Sequence, residues 1–178
     1  RACPGLPWDG RACRPPGDPM QCQCPFSDEC TQARAITTLP YFDTQDTSSA
    51  TPAEDDPSLT CGLPGPQAHS VWYTLVAPSD GAVRLDTFGS NYDTVVGVFT
   101  GSCGGLTPIS GACNDDSGGL QSALSFSVAN GETYYFEVTS LGTSVGRLLD
   151  LSVSFAPDPC IGAPATGCRR PTTGGKSL

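Results

Sequence analysis

Leu149-Asp150-Leu151-Ser152-Val153-Ser154-Phe155 alternates apolar and polar residues without a fault. Successive side chains on an extended backbone point to opposite faces, so such a run is a strand with one face buried and one wet. Leu124-Ser125-Phe126-Ser127-Val128 repeats the pattern, Val83 and Leu85 alternate with Arg84 and Asp86, and Tyr134, Phe136 and Val138 alternate with Tyr135, Glu137 and Thr139. Val71-Trp72-Tyr73-Thr74-Leu75-Val76 and Thr94-Val95-Val96-Gly97-Val98-Phe99 are more continuously apolar and are expected as interior strands. A weaker strand is expected over residues 34–39, stopped by Pro40.

Turn signals separate the runs: Pro78-Ser79-Asp80-Gly81, Gly89-Ser90-Asn91, Gly104-Gly105, Ser117-Gly118-Gly119 and Asn130-Gly131. The last is the strongest tight-hairpin signal, because both residues tolerate a positive φ. With 21 Gly, 17 Pro and no window of helical period, the chain reads as all-β, an antiparallel sandwich of the immunoglobulin-like or jelly-roll-like kind. Its core is expected to hold Leu75, Val83, Leu85, Val95 or Val96, Phe126, Phe136, Leu151 and Val153, with Trp72 as the largest plug.

Three segments differ in composition. Residues 1–30 are a Cys- and Pro-rich arm, residues 31–156 carry the strand patterns, and residues 157–178 are a Pro-, Gly- and Thr-rich tail. The disulfide candidates are Cys3, Cys13, Cys22, Cys24, Cys30, Cys61, Cys103, Cys113, Cys160 and Cys168. So many cysteines in so short a chain, without a C-x2-C knuckle and with His69 as the one histidine, indicate disulfides rather than zinc, and therefore an oxidising compartment. Proximity suggests Cys103 with Cys113 across a short loop, Cys30 with Cys61 around a polar stretch, and Cys160 with Cys168 in the tail. Cys3, Cys13, Cys22 and Cys24 are then left to pair within the arm, and an arm–tail exchange or an intermolecular bond is the alternative.

A formal net charge of −9 with a single lysine, Lys176, argues against nucleic acid. No apolar run is long enough for a membrane-spanning helix. The sequence opens at Arg1 with no leader pattern, and the expectation is a mature, secreted chain, extracellular or at the cell surface, after signal-peptide removal.

The middle segment resembles the bacterial pre-peptidase C-terminal (PPC-like) domain over residues 30–156. The likeness rests on Ser70-Val71-Trp72-Tyr73-Thr74-Leu75 with Ala77-Pro78, Gly81-Ala82-Val83, and Leu85-Asp86-Thr87. It continues through Tyr92-Asp93-Thr94-Val95-Val96-Gly97-Val98-Phe99-Thr100-Gly101, Cys113-Asn114-Asp115-Asp116-Ser117-Gly118 and Gly131-Glu132-Thr133-Tyr134-Tyr135. The resemblance implies a secreted, non-catalytic β-sandwich, linked to surface or substrate attachment and in some members to calcium.

Asp93, Asn114, Asp115 and Asp116 are the best oxygen-ligand group for calcium, set against the plainer reading of a solvated acidic turn. Glu54-Asp55-Asp56 reads as a solvated loop. Trp8, Tyr41 and Tyr92 are candidate aromatic contacts for a glycan or partner, although packing is the commoner fate of each. Asp116-Ser117-Gly118-Gly119 is similar to a serine-protease nucleophile segment, but His69 has no supporting motif, and a Gly-rich turn is the simpler reading. The chain is therefore expected not to be an enzyme. The leading expectation is a structural or adhesive subunit that assembles with copies of itself, its terminal extensions docking on or adding a strand to a neighbour. The alternative is a carbohydrate- or surface-binding accessory module of a secreted hydrolase.

Overall fold

The computed structural model describes residues 27–53, 56–62, 68–142 and 147–159. Cys3, Cys13, Cys22, Cys24, Trp8, Cys160 and Cys168 lie outside the described residues. Among the described residues there are nine strands, β1 (Arg34–Ile36), β2 (Tyr41–Asp46), β3 (Ala68–Val76), β4 (Gly81–Asp86), β5 (Thr94–Thr100), β6 (Thr107–Asn114), β7 (Ala123–Val128), β8 (Thr133–Ser140) and β9 (Leu148–Pro157), preceded by a 3-10 turn at Cys30–Gln32. They form a sandwich of a five-stranded sheet, ordered β1-β3-β8-β5-β6, and a four-stranded sheet, ordered β2-β9-β4-β7. All pairs are antiparallel except β1 with β3. No helix among the described residues is long and apolar enough to cross a membrane.

The inner faces bury the expected residues. Leu75, Val83, Leu85, Val96, Phe126, Phe136, Leu151 and Val153 fall in one cluster, with Tyr73 at the position assigned above to Trp72. Trp72 points the other way. It packs on the outer face of the five-stranded sheet with Leu59, Val95 and Phe99, bordered by Cys30, Cys61 and Cys113. That corrects the assignment of Trp72 and explains the unbroken apolar runs of β3 and β5. A strand buried on both faces has no wet side to alternate with. Burying four such side chains stabilises by roughly 1.5–3 kcal/mol each.

The cover over this outer face is a strap, residues 47–53 and 56–62, in the connection between β2 in one sheet and β3 in the other. Leu59 reaches down onto Gly97, where even a methyl group would collide with it. Glu137, expected on a wet face, is buried here at 1 % exposure. Asp56, expected in a solvated loop, accepts hydrogen bonds from Trp72 Nε1 (3.2 Å), Ser70 Oγ (2.7 Å) and the Ala53 amide (2.7 Å).

The cysteine pairing is Cys30–Cys103 and Cys61–Cys113, not the two local closures expected. The register of β5 with β6 gives the reason. Thr100 opposes Thr107, so Cys103 sits at the hairpin tip, whereas Cys113 opposes Gly97 at the far end of β6. At about 3.3 Å per residue the two lie roughly 20 Å apart. Cys61–Cys113 instead runs from the covering segment to the outer face of the sheet, and Cys30–Cys103 from the 3-10 turn to the β5–β6 hairpin tip.

Two strands had no clear signal. The inward residues of β2 are Tyr41, Asp43 and Gln45, which gather round the Tyr73 hydroxyl. Tyr73 donates to Asp43 at 2.8 Å, Gln45 donates to Tyr73 at 2.6 Å, and Arg34 pairs with Asp43. The run 107–114, read above as part of a loop, is edge strand β6. Asn130-Gly131 does turn, but it joins β7 to β8 in the opposite sheet rather than closing a hairpin, and of the two only Gly131 has a positive φ (77°).

Loops of 52 and 73 residues closed by these bonds stabilise by about 4 kcal/mol each in the chain-entropy account. Peptide mapping without reduction is expected to recover Cys61–Cys113, and a Cys61→Ala/Cys113→Ala variant should lose about 2–4 kcal/mol in urea unfolding. Recovery of a Cys103–Cys113 peptide would contradict the described fold.

Candidate metal centre at the loop end

β5 and β6 pair with Val96 opposite Asn114, so the residues before β5 and after β6 meet at one end of the sandwich. Asp93 precedes β5, and Asp115 and Asp116 follow β6. Their carboxylates can each place one oxygen within 4.8 Å of the others. Asp116 is exposed and the other two are part-buried. Even so, Asp93 Oδ1 and Asp115 Oδ1 are shut off from solvent and have no hydrogen-bond partner. Desolvation raises both carboxyls above the usual carboxylate range, and the charge of Asp116 raises them further. Three like charges with unsatisfied oxygens suit an oxygen-loving divalent cation, and calcium accepts such carboxylates together with water.

Asn114 is not part of this group. Its Oδ1 accepts the Ala123 amide at 2.9 Å and its Nδ2 reaches the Asp116 carbonyl at 3.4 Å, so it pins the loop instead. The structure thus brings together three of the four expected ligands.

What holds them was not legible in the sequence. Ser122, fully buried, is the hub: its hydroxyl reaches the carbonyls of Asp115 (2.7 Å), Asn114 (3.0 Å) and Thr94. Its amide donates to the hydroxyls of Thr87 (2.9 Å) and Thr94 (3.0 Å), which are themselves 2.6 Å apart. Leu141 N–H donates to the Asp93 carbonyl at 3.0 Å, and Gln121 Nε2 to the Ser90 carbonyl at 3.1 Å. A lone Ser between turn glycines and a strand carries no pattern that marks it as a hub. Only the meeting of three loops does.

The aromatic candidates fare differently. Tyr92 is buried at 6 % exposure and its hydroxyl is pushed up to about 12 by desolvation. That hydroxyl lies near Thr47 but outside hydrogen-bonding geometry. Tyr41 is half-buried, edge-on to Tyr73 at 6.3 Å. Burial removes Tyr92 as a surface contact. The exposed aromatics among the described residues are instead Phe42, at 70 %, and Phe88, at 44 %. Ser117 and His69 lie on β6 and β3 ends separated by β8 and β5, on the order of 14 Å across, far beyond the reach of a nucleophile–base pair. His69 Nδ1 instead lies 3.1 Å from the Thr47 carbonyl.

Ser122→Ala removes the hydroxyl that donates to the carbonyls of Thr94, Asn114 and Asp115. It should cost about 1–3 kcal/mol of stability, measured by denaturant unfolding. A loss within a few tenths of a kcal/mol would show that the hub does not set the loops.

No family model and no curated protein matches this chain. Among solved structures it is similar to the pre-peptidase C-terminal domain of collagenase from Bacillus anthracis, with 12% identity, 70% of this chain and 94% of that chain covered, and a TM-score of 0.42. It is also similar to PliG, a periplasmic inhibitor of g-type lysozyme from Aeromonas hydrophila, with 18% identity, 70% and 96% covered, and a TM-score of 0.43. At these values the likeness is one of general β-sandwich course, and neither protein's role passes to this chain.

Proposed function

We propose that this chain is a secreted, non-catalytic structural subunit that assembles with copies of itself, using a sheet edge whose loop end is fixed by calcium. The observation that carries the reading is the state of the edges. Edge strand β6 is guarded by Pro108 and by the irregular register between Gly97 and Phe99, β2 carries Asp43 and Asp46, and β1 is three residues long. These are the usual ways of discouraging edge-to-edge pairing. Edge strand β7, Ala-Leu-Ser-Phe-Ser-Val, has neither charge nor proline and pairs on one side, with β4. It suits an extended segment from a neighbour, supplied by a terminal extension, in the manner of strand addition.

Calcium enters at the start of that edge. β7 begins at Ala123, directly after Ser122, and its first amide is held by Asn114, the last residue of β6, where the acidic loop begins. A cation on Asp93, Asp115 and Asp116 would offset their repulsion and stiffen the segment that presents β7. A second reading, glycan or surface binding, is favoured by exposed Phe42, which stands opposite Ser152 and two residues from exposed Thr44 on the outer face of the four-stranded sheet.

Sedimentation velocity with calcium and with chelator tests the proposal. Wild type is expected to form large species in calcium. A Ser125→Lys/Ser127→Lys variant should remain monomeric while its melting temperature still rises with calcium, and Asp115→Asn should lose that rise. At one hundred times Kd the ligand stabilises by about 2.7 kcal/mol. A wild type that stays monomeric, or a double-lysine variant that assembles unchanged, overturns the reading. Saturable glycan binding lost in Phe42→Ala would replace it.

A further inference from the structure

Peptide groups alternate in direction along a strand, so each residue of β7 bonds either toward β4 or toward the open edge. The Asp158 amide donates to the Asp80 carbonyl at 2.9 Å, one step beyond the Gly81–Pro157 pair. Asp80 therefore faces β9, and Gly81, Val83 and Leu85 face β7. Their partners Val128, Phe126 and Leu124 bond β4, which leaves Ala123, Ser125 and Ser127 facing outward. The Thr87 amide on the Ser122 carbonyl, at 2.9 Å, keeps the same phase. Both ends of the outward row are closed. Asn114 Oδ1 takes the Ala123 amide at 2.9 Å, and the Tyr134 hydroxyl takes the Ala129 amide at 2.9 Å. Among the described residues, the donors left open on this edge are the amides of Ser125 and Ser127, both exposed.

So short a ladder limits what can join it. An added strand needs two non-proline residues to bond Ser125 and Ser127, and between them an apolar residue that points inward beside Phe126. In the arm every large apolar residue has a proline next to it: Leu6-Pro7, Pro7-Trp8, Pro19-Met20 and Pro25-Phe26. With the apolar residue opposite Phe126, that proline falls opposite Ser125 or Ser127 and brings no N–H. In the tail, Ile161 stands between Cys160 and Gly162. Run antiparallel with Ile161 opposite Phe126, the tail sets Cys160 against Ser127, Gly162 against Ser125 and Ala163 against half-buried Leu124. Pro164 then falls opposite Ala123, whose amide Asn114 has already taken. Beyond it the chain continues past the loop end, where Asp116 is exposed, with Arg169, Arg170 and Lys176 and no acidic side chain in residues 160–178.

A tail in this register belongs to another copy. Asp158 is fastened beside Asp80, in line with β9, and a strand added outside β7 lies three strand spacings away, about 14 Å. The two residues from Asp158 to Cys160 span about 7 Å at full extension. Resting on the reading that copies assemble through β7, we infer that residues 160–164 of one copy form the strand added to β7 of the next, with Ile161 opposite Phe126. The two surfaces differ, so the contact is heterologous and repeats from copy to copy.

Residue-resolved hydrogen exchange of the full chain, read alongside sedimentation velocity, tests the register. On assembly the Ser125 and Ser127 amides should slow by about tenfold or more, while Leu124 and Phe126, bonded to β4 in either state, keep their rates. Gly162→Pro removes the N–H that meets Ser125 and should raise the concentration for half-assembly by about tenfold. Ala163→Pro, whose nitrogen faces away from β7, should assemble as wild type does. A wild type that stays monomeric overturns the assembly reading, and this inference with it. Assembly that leaves Ser125 and Ser127 unprotected, that Gly162→Pro does not weaken, or that Ala163→Pro weakens equally, overturns the tail strand alone.

Discussion

Burial of both faces of the β3–β8–β5 sheet is the constraint on which the rest of this molecule depends. The inner face is covered by the four-stranded sheet, through the interdigitating residues of an ordinary sandwich. Among the described residues the outer face has no third sheet. A strap whose buried apolar residues, among those described from Thr51 to Gly62, are Ala53 and Leu59 covers Trp72, Val95 and Phe99. So small an apolar contribution cannot hold a polar segment against its own conformational entropy. The Cys61–Cys113 bond and the hydrogen bonds that Asp56 accepts from Trp72, Ser70 and Ala53 make up the difference.

The same arrangement decides what the sequence could reveal. Strands β4, β7 and β9 keep one wet face, so their alternation is clean and each is legible. Strands β3 and β5 lose alternation because they are covered twice. Their runs mark them as interior without disclosing the second cover. Strand β2 hides because its inward side chains are Tyr41, Asp43 and Gln45, which satisfy one another and Tyr73 instead of packing as hydrocarbon. Strand β6 hides because it is a mostly exposed edge broken by Pro108 and by Gly111 at positive φ.

The acidic centre was partly legible for a related reason. Asp115 and Asp116 are adjacent in sequence, and a turn signal beside acids draws attention by itself. Asp93, grouped with them from the sequence as an acid on a preceding loop, is brought to them by the β5–β6 register, through a strand that periodicity does not reveal. Ser122, Thr87 and Thr94 were beyond reach, since hydroxyls that knit three loops look in sequence like ordinary loop residues. Glu137 was misjudged because a carboxylate in an alternating strand is ordinarily the wet position. Here the strap removes the water.

These features divide the molecule into a rigid inner sandwich, a loop end that presents acids and an open strand, and an outer face whose cover is held on separately. Hydrogen exchange before and after reduction tests that division most directly. With both disulfides reduced, the Ala53 and Trp72 amides, bonded to Asp56 and to Ser27 respectively, should exchange much faster while Leu85 and Val153 in the four-stranded sheet keep their protection. Equal loss of protection in both groups would mean a single cooperative core, and the separately fastened outer face would have to be abandoned.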